Sequence, residues 1–192
     1  MLRSISPFAD GYCLGAAELL QAKPIAVYCS RKVHTAAVPE CQEMVRGLAR
    51  QGVVLAGGWQ SPLEQWLLRE AAPLGRSAFI YFLSKGMEHF RPDPMIEQLL
   101  QQGRVVILAK RLRGKRISRQ LVEERDRWMR TLIQRYLFCF VDPDGNTSTL
   151  IQESLDANKE VFVYNYPGNP YTTDDSVLLV DHGNYQQVLG IV

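Results

Sequence analysis

Short apolar runs alternate along the chain with stretches whose apolar positions recur every three or four residues. Continuous runs of this length are typical of strands buried on both faces, and they occupy residues 25–28, 53–56, 78–83, 105–109, 136–141 and 161–164. The intervening spacing predicts helices over 36–51, from Ser61, from Asp93 to Gly103, over 118–134 and up to Asn158. We therefore expect an α/β fold with a doubly wound, mostly parallel sheet and helices on both faces.

Three helix starts carry capping residues. Ser61-Pro62-Leu63-Glu64 has the spacing of a capping box with proline at the first helical position, and Asp93 precedes Pro94 in the same way. Thr35 is a candidate N-cap for the first helix, which Gly52 would end.

The 192 residues, 46% of them hydrophobic, predict a single domain spanning 1–192. We expect residues 1–23 to form an N-terminal extension, and 165–192 a tail with an edge strand at 177–180. No apolar run is long enough to span a bilayer, and the first residues do not resemble a secretory leader, so we expect a cytoplasmic protein with no membrane partner.

The four cysteines show no metal-binding spacing and are expected to be reduced thiols. Cys29 and Cys139 lie in apolar runs and are predicted core residues, while Cys13 and Cys41 have no CxxC partner. The sequence predicts no metal site.

Charge is distributed unevenly along the chain. The net charge is +2, yet residues 104–135 hold eleven Lys and Arg against three acids and carry +8, which leaves −6 for the remainder. A one-sided field of this kind favours a partner rich in phosphate.

In a doubly wound sheet, ligands bind outside the carboxyl ends of the strands, so the residues after each strand are the site candidates. Ser30, Arg31 and Lys32 follow the first strand and combine a hydroxyl with two cations, which suits a phosphate. The alternative is a solvated pair of cations in a loop.

Glycines and hydroxyls follow two other strands. Gly57 and Gly58 allow positive φ and close approach of backbone N–H groups to a ligand, although a tight turn alone also needs glycine. They do not form GxGxxG, so we expect no dinucleotide cofactor. A second set precedes a predicted helix and consists of Gly145, Asn146, Thr147 and Ser148. These residues could form an anion-binding nest, or they could serve only as helix caps.

The basic loop after the fourth strand is the strongest candidate. A flexible loop of this kind would contact backbone phosphates and give affinity without sequence preference; the alternative is an exposed loop that aids solubility. Its cations are Lys110, Arg111, Arg113, Lys115 and Arg116. Arg125 and Arg127 extend the basic face, whereas helical spacing places Trp128 in the core.

The sequence offers no catalytic constellation. His34, His89 and His182 are scattered, no serine lies in GxSxG, and no spacing pairs two carboxylates. His34, close to Ser30, is the only histidine beside a candidate site. We therefore predict no catalytic residue and a protein that is not an enzyme.

The order of these motifs resembles the Rossmann-like domain of the DNA-processing protein A (DprA/Smf) family. The similar segments are 25–32 with Cys29 in place of a glycine, Ala56-Gly57-Gly58, Arg125-Asp126-Arg127, the stretch from Gly145 to Val163, and the tail through Ser176 and His182-Gly183. The resemblance implies single-stranded DNA binding at Ser30, Arg31, Gly57, Arg125 and Arg127. It also implies a homodimer, a role in DNA recombination and handover of DNA to a RecA-type recombinase.

A second resemblance keeps an alternative open. Glu124-Arg125-Asp126-Arg127-Trp128-Met129 and Pro143-Asp144-Gly145-Asn146-Thr147 are similar to the signatures of the Lonely Guy (LOG) nucleoside-monophosphate phosphoribohydrolases, although Glu153 is out of register with their catalytic glutamate. The sequence thus predicts a non-catalytic single-stranded DNA-binding protein, with a nucleotide-binding sensor or LOG-like hydrolase as the alternative.

Overall fold

The computed structural model describes residues 5–33, 35–114, 116–167, 169–181, 183–188 and 190. Within these residues, nine strands form one sheet: β1 Ser6–Phe8, β2 Gly11–Gly15, β3 Ile25–Cys29, β4 Leu55–Gly57, β5 Phe79–Leu83, β6 Val105–Ala109, β7 Arg135–Phe140, β8 Glu160–Tyr164 and β9 Leu178–Val180. The spatial order is β1-β2-β6-β5-β4-β3-β7-β8-β9. All pairs from β6 across to β9 are parallel.

Helices cover both faces of this sheet, as the alternating pattern predicts. They are α1 Val38–Arg50, α2 Pro62–Ala71, α3 Pro94–Gln101, α4 Arg119–Leu132, α5 Asn146–Asp156 and α6 Tyr185–Val188. Met44 of α1, Leu67 of α2 and Leu99 of α3 belong to one core cluster. Met129 of α4 and Ile151 of α5 belong to a second cluster built on the side chains of the other face. The doubly wound, mostly parallel α/β class is thereby confirmed.

The strand order reverses between β3 and β7. The chain adds β4, β5 and β6 on one side of β3, then returns and adds β7, β8 and β9 on the other. A reversal of this kind opens a crevice at the carboxyl ends of the two strands beside it. The loops after β3 to β8 therefore all emerge along one rim of the sheet.

The N-terminal hairpin was not predicted from the sequence. β1 and β2 pair antiparallel, and β2 continues the sheet by pairing antiparallel with β6, with Tyr12 opposite Ala109 and Gly15 opposite Val106. The first 23 residues, expected to be an extension, thus supply two strands. At the other edge β9 pairs with β8, which confirms the predicted edge strand.

Helix capping agrees with the sequence at two of three positions. Ser61 and Glu64 form the complete capping box, and the Asp93 carboxylate accepts a hydrogen bond of 2.9 Å from the Ile96 amide. The expectation for Thr35 is wrong, because a 3-10 turn over Thr35–Ala37 precedes α1. Helix α1 has no side-chain cap, and Pro39 lies in its first turn.

The expected core residues are buried. All four cysteines are free and buried, and Trp128 is 4% exposed. No helix among the described residues is both long and apolar enough to cross a membrane. In the same part of the chain, no group of three or more His, Cys, Asp or Glu side chains is placed to hold a metal ion.

Candidate anion-binding site

A small cavity of about 50 Å3 lies at the rim where β5 and β6 end. The turn after β5, residues 84–86, forms one wall, the loop after β6, residues 110–114, forms another, and Leu121 and Glu124 of α4 contribute the third. Five cations line this space, which we call the cationic cleft: Lys85, Lys110, Arg111, Arg113 and Arg125. The predicted basic loop and the predicted basic helix therefore meet at one place.

Backbone hydrogen bonds hold the basic loop against the turn after β5. The amide of Gly86 donates to the Gly114 carbonyl at 2.8 Å, and the next two amides donate to the Arg111 and Leu112 carbonyls at 3.0 Å each. At Gly86 a Cβ would lie 2.4 Å from the Arg113 carbonyl carbon, so only glycine allows this approach. Three carbonyls of the loop that the sequence predicts to be flexible, those of Arg111, Leu112 and Gly114, are therefore paired with backbone amides.

Arg125 is the most deeply placed cation of the cleft, at 5% exposure. Its Nε and Nη2 donate to one carboxylate oxygen of Asp126 at 3.0 and 2.7 Å, and the Tyr28 hydroxyl donates to that same oxygen at 2.8 Å. Burial opposes the charge on Arg125, but the attraction of Asp126, together with that of Tyr28 and Glu64, outweighs it and raises the pKa of the guanidinium. Burial, with Asp126 next to it, raises the pKa of Tyr28 well above its usual value.

One guanidinium nitrogen of Arg125 has no hydrogen-bond partner in the described part of the chain. Its Nη1 atom is buried and makes no hydrogen bond with any residue that the structure describes. An unsatisfied buried donor costs about 1–3 kcal/mol, so an acceptor that reached it would be bound favourably. The orphaned nitrogen and the other cations of the cleft together favour an anionic ligand.

Gly58 is required by Arg125 rather than by a tight turn. A Cβ on Gly58 would lie 2.1 Å from Nη1 and 2.5 Å from Cζ of Arg125. From the sequence, positive φ is the reason expected for Gly57 and Gly58, but neither residue adopts it; Trp59 does, at φ 50°. This is an uncommon conformation for a bulky residue, and it is held by a hydrogen bond of 3.2 Å from the indole to the Ile80 carbonyl.

Glu64 was predicted from the sequence only as part of a capping box. Its buried carboxylate also accepts from the Cys29 amide at 3.1 Å and the Gln60 amide at 2.9 Å, besides Ser61 at 3.2 Å. It therefore joins the end of β3 to the turn between β4 and α2. Burial raises the pKa of Glu64, although these three amides oppose the shift.

Because burial raises the pKa of Glu64, the folded chain holds this proton to higher pH than the unfolded chain does. The contribution of Glu64 to the free energy of unfolding therefore falls as pH rises from the ordinary glutamic acid pKa through the raised one. In E64Q the side chain does not titrate. We expect the unfolding free energy of the natural chain, minus that of E64Q, to fall between pH 4 and pH 8, as measured by urea denaturation.

The acid end of that series serves as the reference, since Glu64 is then protonated in the folded chain and mostly protonated in the unfolded chain. A difference that stayed constant or grew with pH would contradict the burial of an ionisable Glu64.

Most cations of the cleft already form ion pairs with carboxylates. Asp10 contacts the ammonium of Lys110, Glu124 lies 2.9 Å from Arg111, and Glu88 lies 3.6 Å from Arg113. Among the described residues no carboxylate pairs with Lys85, whose Nζ lies 5.7 Å from the ring centroid of Phe90. The charge of +8 counted over 104–135 is therefore partly compensated in space by acids from outside that segment.

Several other predicted site residues lie at the β3/β7 crevice. A wider cavity of about 490 Å3 opens there, lined by Lys32, Val33, Thr35, Phe140, Asp142 and Pro143. The Ser30 hydroxyl contacts the Thr147 hydroxyl and accepts from the Asp142 amide at 2.7 Å. Ser148 donates to the Asp142 carbonyl at 3.0 Å. These hydroxyls tie loops together, which is the structural alternative left open by the sequence.

The predicted site residues thus form two groups and several outliers. Gly145 is the N-cap of α5, while Arg31 and Asn146 are exposed at the crevice. Arg127 is exposed and does not line the cleft, because two residues along a helix turn its side chain to nearly the opposite side from Arg125. Arg116 is exposed and is likewise absent from the lining. Lys115, His34 and His182 lie outside the described residues.

The fold and the rim define a Rossmann-like α/β protein with a cationic cleft at the carboxyl ends of its strands. No protein-family model and no curated protein matches the chain. Its fold is that of DNA processing protein A (DprA) from Streptococcus pneumoniae, with a TM-score of 0.72 over 93% of this chain, at 16% identity. This chain spans 65% of that one.

Two further solved structures share the fold. DprA from Helicobacter pylori, whose single-stranded DNA binding mode its structure describes, has a TM-score of 0.70 at 16% identity and covers 88% of this chain and 83% of its own. The Moco carrier protein from Chlamydomonas reinhardtii has a TM-score of 0.53 at 16% identity and covers 88% of this chain and 99% of its own. The predicted resemblance to DprA is confirmed at the level of the fold.

Proposed function

We propose that this chain binds single-stranded nucleic acid, most of all DNA, in its cationic cleft and catalyses no reaction there. The observation that carries the proposal is Arg125, a buried cation that lines the cleft and whose Nη1 makes no hydrogen bond with the described residues. The binding of single-stranded DNA described for H. pylori DprA, which has this fold, supports the same ligand.

The ion pairs of the cleft do not exclude a polyanion. Exposed pairs such as Arg113–Glu88 and Arg111–Glu124 each contribute about 0–1 kcal/mol. A phosphate that replaces a carboxylate keeps the cation paired and releases counterions from the nucleic acid. Contacts of this kind follow the backbone, so the proposed binding has little sequence preference.

The likeness to DprA extends the proposal beyond the cleft. We place a second contact at the β3/β7 crevice, where Arg31 and Lys32 lie near the N-terminus of α5 with Gly145 to Ser148. Homodimer formation, handover of DNA to a RecA-type recombinase and a cytoplasmic location belong to the same proposal.

Titration of labelled single-stranded oligothymidylate at several salt concentrations tests this function. We expect log K to fall linearly with log salt, with a slope of about −0.7 for each phosphate neutralised. K85A should weaken binding several-fold at low salt and make the slope shallower by about 0.7, since Lys85 lines the cleft without an ionic partner among the described residues.

K159A is the matched control for K85A. Lys159 is also a half-buried lysine, but it immediately precedes β8 and thus lies at the amino ends of the strands, away from the cleft. Binding should be unchanged in this variant. Absence of binding at low salt, binding insensitive to salt, or equal losses in K85A and K159A would contradict the proposal.

The wider cavity supports a second candidate function, a nucleotide sensor. Its volume of about 490 Å3 lies within the usual range of small-molecule sites, about 300–1,000 Å3, and Lys32 and Thr35 line it beside apolar Val33 and Phe140. A nucleoside monophosphate at about 100 times its dissociation constant would add about 2.7 kcal/mol to the stability of the fold. A melting-temperature shift with a panel of nucleotides would favour the sensor, and no shift would leave nucleic acid as the ligand.

A further inference from the structure

The turn between β1 and β2 places a carboxylate on a cation of the cleft. Asp10 contacts the ammonium of Lys110, and the same Nζ atom lies 5.5 Å from the ring centroid of Trp128. The Lys110 side chain is 27% exposed, whereas that of Asp10 is 68% exposed. Lys110 is therefore held between a carboxylate and the face of an indole, and solvent reaches mainly the carboxylate.

The hairpin is fixed in this position by its backbone. Tyr12 pairs with Ala109, the residue directly before Lys110. At Gly11 a Cβ would lie 2.7 Å from the Ala109 carbonyl oxygen and 2.7 Å from the Trp128 ring, so the turn lies directly on that ring. None of these contacts involves the Asp10 carboxylate, so Asp10 can be substituted without altering the register of the hairpin.

We propose that the N-terminal hairpin is an internal competitor of the ligand, in which Asp10 occupies Lys110 and lowers the affinity of the cleft for polyanions. This inference rests on the proposed function of the same cleft. A phosphate oxygen that approaches Lys110 must displace the carboxylate or share the ammonium with it, and in both cases the carboxylate remains as a like charge beside the phosphate. The hairpin thus removes one cation from those available to the nucleic acid.

Asp10 differs from the other two acids that pair in the cleft. Glu124 lines the cavity itself, and Glu88 belongs to the turn whose amides hold the basic loop. Asp10 comes instead from an element about 100 residues away in the chain, at the tip of a two-stranded hairpin. Removing the Asp10 carboxylate therefore leaves the walls of the cleft intact, and the resulting change in affinity measures the competition.

Titration of oligothymidylate with D10N tests this competition. We expect D10N to bind about two- to five-fold more tightly at low salt, the range that one exposed ion pair allows. The salt dependence should become steeper by about 0.7, as expected for one more phosphate contact to a single strand. The melting temperature of D10N should stay close to that of the natural chain, because exposed pairs contribute little to stability.

D175N is the matched control. Asp175 is exposed, forms no hydrogen bond or ion pair with the described residues and precedes β9, at the opposite edge of the sheet from the hairpin. It changes net charge by the same amount and should leave affinity and salt dependence unchanged. Equal effects in D10N and D175N would overturn the inference, because a general charge effect would then explain both.

A double-variant cycle with K110Q completes the test. If Asp10 acts through Lys110, D10N should have no effect on binding in the K110Q background. A gain that persists there would overturn the inference. If the natural chain binds no oligothymidylate at low salt, the proposed function itself fails. If it binds while D10N changes nothing, only the competition fails.

Discussion

Replacing Arg125 with methionine is expected to lower the free energy of unfolding by about 3–5 kcal/mol, because it leaves a buried charge without its partner. Asp126 is 5% exposed, and of the donors in the described residues its carboxylate would keep only the Tyr28 hydroxyl. In a chain of this length each kcal/mol lowers the melting temperature by about 2–4 °C. Urea denaturation and calorimetry measure the loss directly.

Two further variants show that the loss comes from the charge on Asp126. R125M/D126N removes both charges and keeps an acceptor for Tyr28, so it should recover most of the stability lost in R125M. R125K keeps the charge but loses the two parallel donors, and its loss should be smaller. Wild-type stability in R125M, or a double variant less stable than R125M, would contradict the buried pair.

Gly58→Ala is expected to have the second largest effect. The new Cβ would overlap the Arg125 guanidinium, which Asp126 holds in place by two hydrogen bonds. Such overpacking costs about 1–3 kcal/mol. The guanidinium must also move from its position in the cleft, so oligothymidylate binding should weaken together with stability.

The Arg125→Met background separates the two consequences of Gly58→Ala. With the guanidinium gone, G58A should cost much less stability than it does in the natural chain, so the two substitutions should be non-additive. Additive losses would show that the backbone at Gly58, rather than Arg125, makes alanine unfavourable.

Most of the parallel sheet could be predicted from the sequence, because each of its core strands is a continuous apolar run and each crossover helix has its own periodicity. The run at 105–109 coincides with β6. The hairpin could not be predicted, because β1 has three residues with a proline among them and β2 both begins and ends in glycine. These segments are strands because β2 pairs with the open edge of β6 and β1 pairs with β2.

The site was predictable only as a set of candidates. Local sequence showed that cations cluster at 104–135, but it could not show which acids pair with them, since Asp10 lies 100 residues from Lys110. The burial of Arg125 depends on Asp126 beside it and on Tyr28, 98 residues from Asp126 in sequence. The capping role of Glu64 could be predicted from local sequence, whereas its hydrogen bond with the Cys29 amide could be found only in the structure.

Arg125 and Arg127 illustrate the limit of motif reasoning. Both belong to the Arg-Asp-Arg segment, yet one is buried in the cleft and the other is exposed. A sequence motif treats the two cations as equivalent, whereas two positions along an α-helix place their side chains about 200° apart around the helix axis.

A crystal structure of the chain with a short oligothymidylate would locate the bound nucleic acid. We expect a backbone phosphate between the turn at 84–86 and the loop at 110–114, with an oxygen close to Arg125 and Lys85. Nucleic acid bound at the amino ends of the strands, or along the outer side of α4 around Arg127 with every ion pair of the cleft unchanged, would contradict this expectation.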